Sequence, residues 1–518
     1  MVVKKKSAGL PIIAVLLSLL ILAATAVLRL YSLDTMPFHH DESIHAVFSL
    51  QVTEGDPYRY DPVYHGPLLY YTVGCIFAVA GDSDTTARIY PAICGILLVG
   101  TMLLFRNRFG PAGMITGMAL LCFSPTLVYF SRFLRNDVPV AFLSLVTLAA
   151  IIRYFEETNP RWLFLAGLSG ALALTSKEVT YIIAFQWFVG LLVVLTARRF
   201  RGLKEISANL LRHQLHLCIA ILIAAGVFFL FFTAFFEHPR GLYDGTIGWI
   251  KYWWSQHETA RIPGPWYYHI LRIGVYDPWV LLICPLVTVI LMIRRRSGMM
   301  LFMATWAWSS LALYSYLQEK VPWLMVHIIV PMVLLFCIGF DDLWRRSGRW
   351  LKTAATVAVL LFLILSLRST VNLCFRWPAD PREMLVFTQT SDDVHEAVAT
   401  IRQAREKWTG EEAFQIVVQD EVGWPFAWYL RDLPTHYSAD IQELRAPVIL
   451  LEAYKEDIAE PLITQGYKHR KFRLRVWWEP AFRGVTLWDI YRYWIYREPF
   501  SSTGSYDFLI MLSPEVQE

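Results

Sequence analysis

The sequence predicts a polytopic α-helical membrane protein of about 11 transmembrane helices, followed by a C-terminal soluble α/β domain. Three observations predict it. The 518 residues are 56% hydrophobic and only 17% charged, a balance a soluble globular chain rarely reaches. Apolar runs able to cross a hydrocarbon core, which takes roughly 20 residues, recur through the first part of the chain. After residue 370 the runs shorten to strand length and alternate with amphipathic stretches.

The apolar runs fall at 9–30, 67–80, 86–105, 111–130, 138–154, 162–176, 179–197, 214–236, 277–293, 299–317, 323–340 and 350–370. The first, preceded by Lys4-Lys5-Lys6, is too long for a signal peptide and ends without a small-residue cleavage site, so it is expected to persist as a helix. Basic clusters set the orientation, because lysine and arginine collect on the cytoplasmic side. They lie at Lys4–Lys6, Arg106 with Arg108, Arg153 with Arg161, Arg198 to Lys204, Arg294–Arg296 and Arg345 to Lys352. All six face inward only if the short 67–80 run does not cross. Residues 31–85 then form one external segment, the N-terminus is cytoplasmic, and the tail is extracytoplasmic. The domains expected are 1–370 in the membrane and 371–518 outside it.

In the tail, 391–408 reads as an amphipathic helix and 414–419 as a strand. A short helix at 423–431, a strand at 447–452, a helix near 455–466 and strands near 471–478 and 506–512 follow. That alternation predicts a mainly parallel sheet. No glycine-rich phosphate loop occurs, and no internal repeat marks an inverted-repeat transporter. The net charge of +4 is dispersed, which excludes a nucleic-acid partner. The seven cysteines lie in or beside apolar runs without metal-ligand spacing and are expected to be buried and unpaired.

The segment with most chemistry is His39-His40-Asp41-Glu42-Ser43-Ile44-His45, just outside the first helix. Ile44, Val47, Phe48 and Val52 follow at helical spacing, which predicts a helix along the membrane surface with Asp41 and Glu42 in its first turn. Ordinary capping explains carboxylates there. Two adjacent carboxylates among three histidines exceed what capping needs, and suit a general base or a divalent metal held by Asp41, His40 and His45. A second external helix end carries Arg132, Arg135 and Asp137. Its arginines are i,i+3 neighbours able to present two guanidinium groups to a phosphate, although an Arg–Asp structural pair fits equally well. Two further charged turns, Thr175-Ser176-Lys177-Glu178 and Glu319-Lys320, are each weak alone, and Arg88 opens a crossing nearby in sequence. His65-Gly66-Pro67 reads as a plain turn. The topology puts all of these on the outer face, where Lys177, Lys320 and the arginines could surround a lipid phosphate.

In order, the Asp41-Glu42 pair, Gly55-Asp56-Pro57, Gly66 to Tyr70, Ala87 to Ala92, and Arg108 to Gly110 resemble the integral-membrane glycosyltransferases of the GT-C fold. The likeness is greatest to the protein O-mannosyltransferase and aminoarabinose transferase group, and it covers about 1–340. Arg132, Arg135 and Asp137, then Thr175 and Lys177, then Glu319 to Trp323, extend it toward a subgroup named for flippase-activity-associated proteins. The resemblance implies a polyprenyl-phosphate sugar as donor, a glycan, lipid or protein acceptor, and a plasma-membrane location. It implies Asp41 as catalytic base with inversion, Glu42 assisting, and Asp137 as a second acidic site that joins a divalent metal where one is used. Arg88, Arg132, Arg135, Lys177 and Lys320 would hold the donor phosphate. His39, His40 and His45 depart from the family's general pattern. The rival expectation is a lipid-linked glycan flippase or an accessory of one; a third is an oligosaccharyltransferase of the same fold.

Overall fold

The computed structural model describes residues 10–259, 262–293, 297–410, 413–439 and 445–516. The basic clusters at Lys4–Lys6 and Arg294–Arg296 lie outside these residues. The chain divides into two compact units, one of Met1–Leu33 with Gln51–Cys374 and the other of Asp34–Leu50 with Phe375–Glu518.

The first unit is helical and lies over the apolar runs. Seven of its described helices are long and apolar enough to cross a membrane, or eight with one bent pair, against the eleven expected. The difference has physical causes. Asp84–Phe123 is counted once although the chain breaks within it at Gly110, Tyr268–Tyr276 and Trp279–Ile293 meet at a bend of 105°, and Arg161–Leu174 has 14 residues. Leu68–Ala80 has 13 residues, about 20 Å at 1.5 Å per residue, and falls short of a hydrocarbon core of about 30 Å. Within the long stretch the chain turns at Gly110, whose φ of 61° suits glycine and where a Cβ would sit 2.4 Å from Asp341 Oδ1. The glycine of the Arg108–Gly110 motif is therefore a close-approach position.

Burial separates the helices. In its most apolar 18-residue window the Pro322–Arg346 stretch is 94% buried, whereas that of Arg349–Arg376 is 6% buried and turns Leu360, Leu361 and Ile364 outward. A helix hydrophobic on every side belongs either inside a large bundle or against lipid. All seven cysteines are free; five are buried, but Cys75 and Cys218 are exposed.

The second unit is a six-stranded sheet: β1 (Gln389–Thr390), β2 (Ile416–Gln419), β3 (Thr435–Ser438), β4 (Val448–Glu452), β5 (Lys468–Trp477) and β6 (Gly504–Leu512), in the order β1-β5-β6-β4-β2-β3. The expected mainly parallel sheet is instead mixed. β2 pairs in parallel with β3 and β4, while β4·β6, β5·β6 and β1·β5 are antiparallel. The helix Asp393–Glu406 places Val394, Ala397, Ile401 and Ala404 at helical spacing against Val418, Leu450, Phe472 and Phe508. On the other face Ala459 and Leu462 meet Val417, Ile449, Leu451 and Met511. Helices thus cover both faces.

The segment before the His40–Thr53 helix is stitched into this unit. Phe38 N–H donates to the Tyr429 hydroxyl at 2.7 Å, the Gln389 amide donates to Pro37 O at 2.9 Å, and the Phe38 ring lies 5.3 Å from that of Trp428.

Candidate functional site

In the first unit, Asp137 opens the helix Asp137–Glu157 after the turn that carries Arg132 and Arg135. Lys177 Nζ reaches both carboxylate oxygens, at 3.0 and 3.1 Å, His327 Nε2 lies 3.2 Å from Oδ1, and Arg135 Nε lies 3.5 Å from Oδ2. The Arg135 guanidinium also sits 3.7 Å over the Trp323 ring. All are buried; the Asp137 side chain is 1% exposed. Both polar atoms of the Asn136 amide, His327 Nδ1 and the Tyr314 hydroxyl are buried without a hydrogen-bond partner among the described residues.

The remaining cations expected at a phosphate hold backbone instead. Lys320 Nζ donates to the carbonyls of Tyr314, Ser315 and Leu317 at 3.2, 2.6 and 2.6 Å, closing the end of the helix Gly298–Tyr316. Its burial pushes the ammonium pKa down. Arg132 donates to Leu28 O, Tyr31 O and Ser32 O after the first helix, and Arg88 Nη1 donates to Leu33 O at 2.6 Å.

His65-Gly66-Pro67 proves to be more than a plain turn. Gly66 N–H donates to Ser176 O and Leu68 N–H to Thr175 O, so closely that a Cβ on Gly66 would lie 2.2 Å from Thr175 O. His65, at φ 71°, turns Nδ1 to Glu178 Oε2 at 2.9 Å, and the Tyr60 hydroxyl donates to Glu178 Oε1 at 2.6 Å. Burial alone would raise the Glu178 pKa. His65 and the Tyr60 hydroxyl outweigh it and hold the carboxyl below its ordinary range. Consecutive residues of one turn, Lys177 and Glu178, thus serve two buried clusters.

In the second unit the acidic pair separates into two roles. Glu42, fully buried, accepts from His39 N–H at 3.0 Å, while Asp41 N–H donates to His39 Nδ1 at 3.0 Å. This is a reciprocal cap in which histidine replaces the usual hydroxyl. Since Nδ1 accepts, the proton sits on Nε2, which lies 3.2 Å from Phe387 O. The Asp41 side chain remains 32% exposed. His40 Nδ1 accepts from Arg475 Nη2 at 2.8 Å; burial first, and the Arg475 charge second, push its pKa down to about 4. His45 is buried in the same helix, where its carbonyl accepts from Ser49 Oγ.

A divalent ion needs several donors aimed at one point. Among the described residues no group of three or more histidine, cysteine or acidic side chains is so placed. Both ring nitrogens of His39 have partners, His40 Nδ1 is occupied, and Asp137 already faces an ammonium. These residues do not fit the metal considered from sequence. His327 and Arg475 escaped the sequence reading. The first is a lone histidine inside an apolar run, itself a signal; the second is one of five arginine and lysine positions on β5 and carries none.

The family described as dolichyl-phosphate-mannose-protein mannosyltransferase matches residues 64–228. Among solved structures, ArnT from Cupriavidus metallidurans bound to undecaprenyl phosphate superposes with a TM-score of 0.62, covering 86% of this chain and 94% of that one at 16% identity. The chain has the GT-C fold of ArnT. The apo form of the same protein gives a TM-score of 0.59 over the same shares at 16% identity. The S. cerevisiae protein O-mannosyltransferase Pmt1-Pmt2 complex bound to the sugar donor gives 0.37, over 46% of this chain and 35% of that one at 21% identity. No curated protein matches the sequence.

Proposed function

We propose that the chain is a membrane glycosyltransferase that moves a sugar, of hexose type, from a polyprenyl-phosphate donor to an acceptor hydroxyl on the outer face. The observation that carries the reading is Asp41, a half-exposed carboxylate fixed in the first helical turn while its neighbour Glu42 is buried as a cap. The GT-C fold and the matched family over 64–228 support it. Asp41 accepts the acceptor's hydroxyl proton, and the oxygen attacks the anomeric carbon from the face opposite the phosphate. The C–O bond to phosphate breaks, polyprenyl phosphate leaves with the electron pair, and the configuration inverts. The resemblance assigns Lys177 and Arg135 to the donor phosphate, although in the structure both pair with Asp137. Arg88, Arg132 and Lys320 support this by fixing chain ends. No step is routed through a metal, so a chelator should leave turnover unchanged.

The test is purified full-length protein given polyprenyl-phosphate sugars and a panel of glycan, lipid and protein acceptors. Transfer with inverted configuration, lost in Asp41→Asn while the variant stays folded, supports the reading. Transfer that survives Asp41→Asn sinks it, and glycan translocation without transfer would point to a lipid-linked glycan flippase.

A further inference from the structure

The topology of the second unit collects an unusual set of side chains at one sheet edge. β2 and β4 run parallel, and two antiparallel steps through β6 bring β5 back to the same direction. The carboxyl ends of β2, β4 and β5, which carry Gln419, Glu452 and Arg475, therefore share an edge with Tyr506 near the start of β6. In open α/β sheets ligands bind in the crevice outside the carboxyl ends of strands. The N-terminus of the His40–Thr53 helix lies at this edge too, through the Arg475–His40 hydrogen bond.

Arg475 differs from its neighbours Arg470, Lys471 and Arg473. Arg470 pairs with Glu396, Lys471 with Asp507 and Arg473 with Asp393, all by direct ion pairs on exposed surface. Between Arg473 and Arg475 the register slips, a bulge of the kind that re-aims side chains beside functional sites. Beyond it Arg475 stands opposite Tyr506, with its guanidinium 5.9 Å from that ring. Among the described residues it has no carboxylate within ion-pair distance. One Nη donates to His40, and Nε is buried without a hydrogen-bond partner among the described residues. A guanidinium withdrawn from water and left without a counter-charge is costly, and the natural complement to its fork is an oxyanion. Glu452, the carboxylate at the end of β4, is already engaged by the Tyr506 and Tyr454 hydroxyls and the Gln419 amide. Asp41 acts on Arg475 only at longer range.

We propose that Arg475 is an oxyanion-binding residue beside Asp41, taking a phosphate or carboxylate oxygen of a reactant at the carboxyl edge of the sheet. The role beside Asp41 rests on the function proposed above; the anion site itself does not. The oxyanion belongs either to the donor's phosphate or to an anionic group of the acceptor. Arg475 Nε and the free Nη hydrogens supply the donors. The edge of Trp424, whose ring lies 6.4 Å from that of His40, and the exposed Tyr454 ring offer flat surfaces for the rest of the ligand.

The experiment is equilibrium binding to the full-length protein in nanodiscs, without turnover, of inorganic phosphate in one arm and polyprenyl phosphate in the other. Wild type, Arg475→Gln, Arg475→Lys and Asp41→Asn are compared. Arg475→Gln should weaken inorganic phosphate by about tenfold or more, and Arg475→Lys by less, since the charge stays but the fork is lost. Asp41→Asn should bind phosphate as tightly as wild type or tighter, so a failed transferase reading would leave this result standing. A matching loss for polyprenyl phosphate assigns the oxyanion to the donor; a loss for inorganic phosphate alone assigns it to the acceptor. Should Arg475→Gln not fold, Arg475→Lys decides alone. Phosphate binding equal to wild type in a folded Arg475 variant overturns the proposal.

Discussion

Asp137 and Asp41 look alike in sequence, each an acidic residue at a helix end with basic neighbours, yet the structure treats them oppositely. Asp137 is sealed among Lys177, His327 and Arg135, so its charge is matched in place. Asp41 keeps a third of its side chain in reach of solvent, 4.0 Å from the His39 ring, while its backbone N–H is held by the cap. A buried, matched carboxylate is poor at accepting a proton from a new molecule; a half-exposed one can do so. Position in a motif therefore did not decide environment. Burial and partners did.

Breaking the buried side should cost the most stability. Lys177→Met leaves Asp137 charged without its closest cation, and a loss of about 3–5 kcal/mol is expected, read as a large drop in thermal midpoint. Adding Asp137→Asn to it should restore part of that loss, because the uncompensated charge disappears. A double variant no more stable than Lys177→Met would mean the pair is not coupled.

The exposed side is tested through His40. Its ring is neutral in the fold with a pKa of about 4, against an ordinary value of 6.5. The unfolded chain thus binds a proton that the folded one refuses. The neutral ring's full contribution is present above pH 6.5 and is lost as pH falls toward 4, by on the order of 3 kcal/mol. His40→Asn should flatten that part of the stability–pH curve; an unchanged slope would contradict the placement. The smallest effect belongs to the cap. Glu42→Ala should lower stability by about 1 kcal/mol, with transfer reduced far less than by Asp41→Asn.

Much of this was legible beforehand. Hydropathy located the helices over the apolar runs, and charged turns named Asp137 and Lys177 as neighbours worth considering. Hydropathy separated the runs on either side of Gly110, where the chain leaves helical geometry, but gave no sign of the 105° bend between Tyr268–Tyr276 and Trp279–Ile293. The mixed sheet was hidden because β1 has two residues and β3 four, too short to show a period, and strand direction follows long-range pairing. Arg475 meets His40 across 435 positions, a contact no local pattern encodes. Lysine and arginine identity suggested phosphate binding equally for all five cations, whereas Lys320, Arg132 and Arg88 grip carbonyls that helix ends would otherwise leave unsatisfied.

The most direct test sets the two aspartates side by side: thermal midpoint and sugar transfer from a polyprenyl-phosphate donor, for Asp41→Asn and Asp137→Asn in the same preparation. Asp41→Asn should keep the wild-type midpoint and lose roughly 100-fold or more of the transfer rate, the usual reach of a general base. Asp137→Asn should lose stability first. A stable Asp137→Asn, together with an Asp41→Asn that transfers at the wild-type rate, would contradict the division of roles.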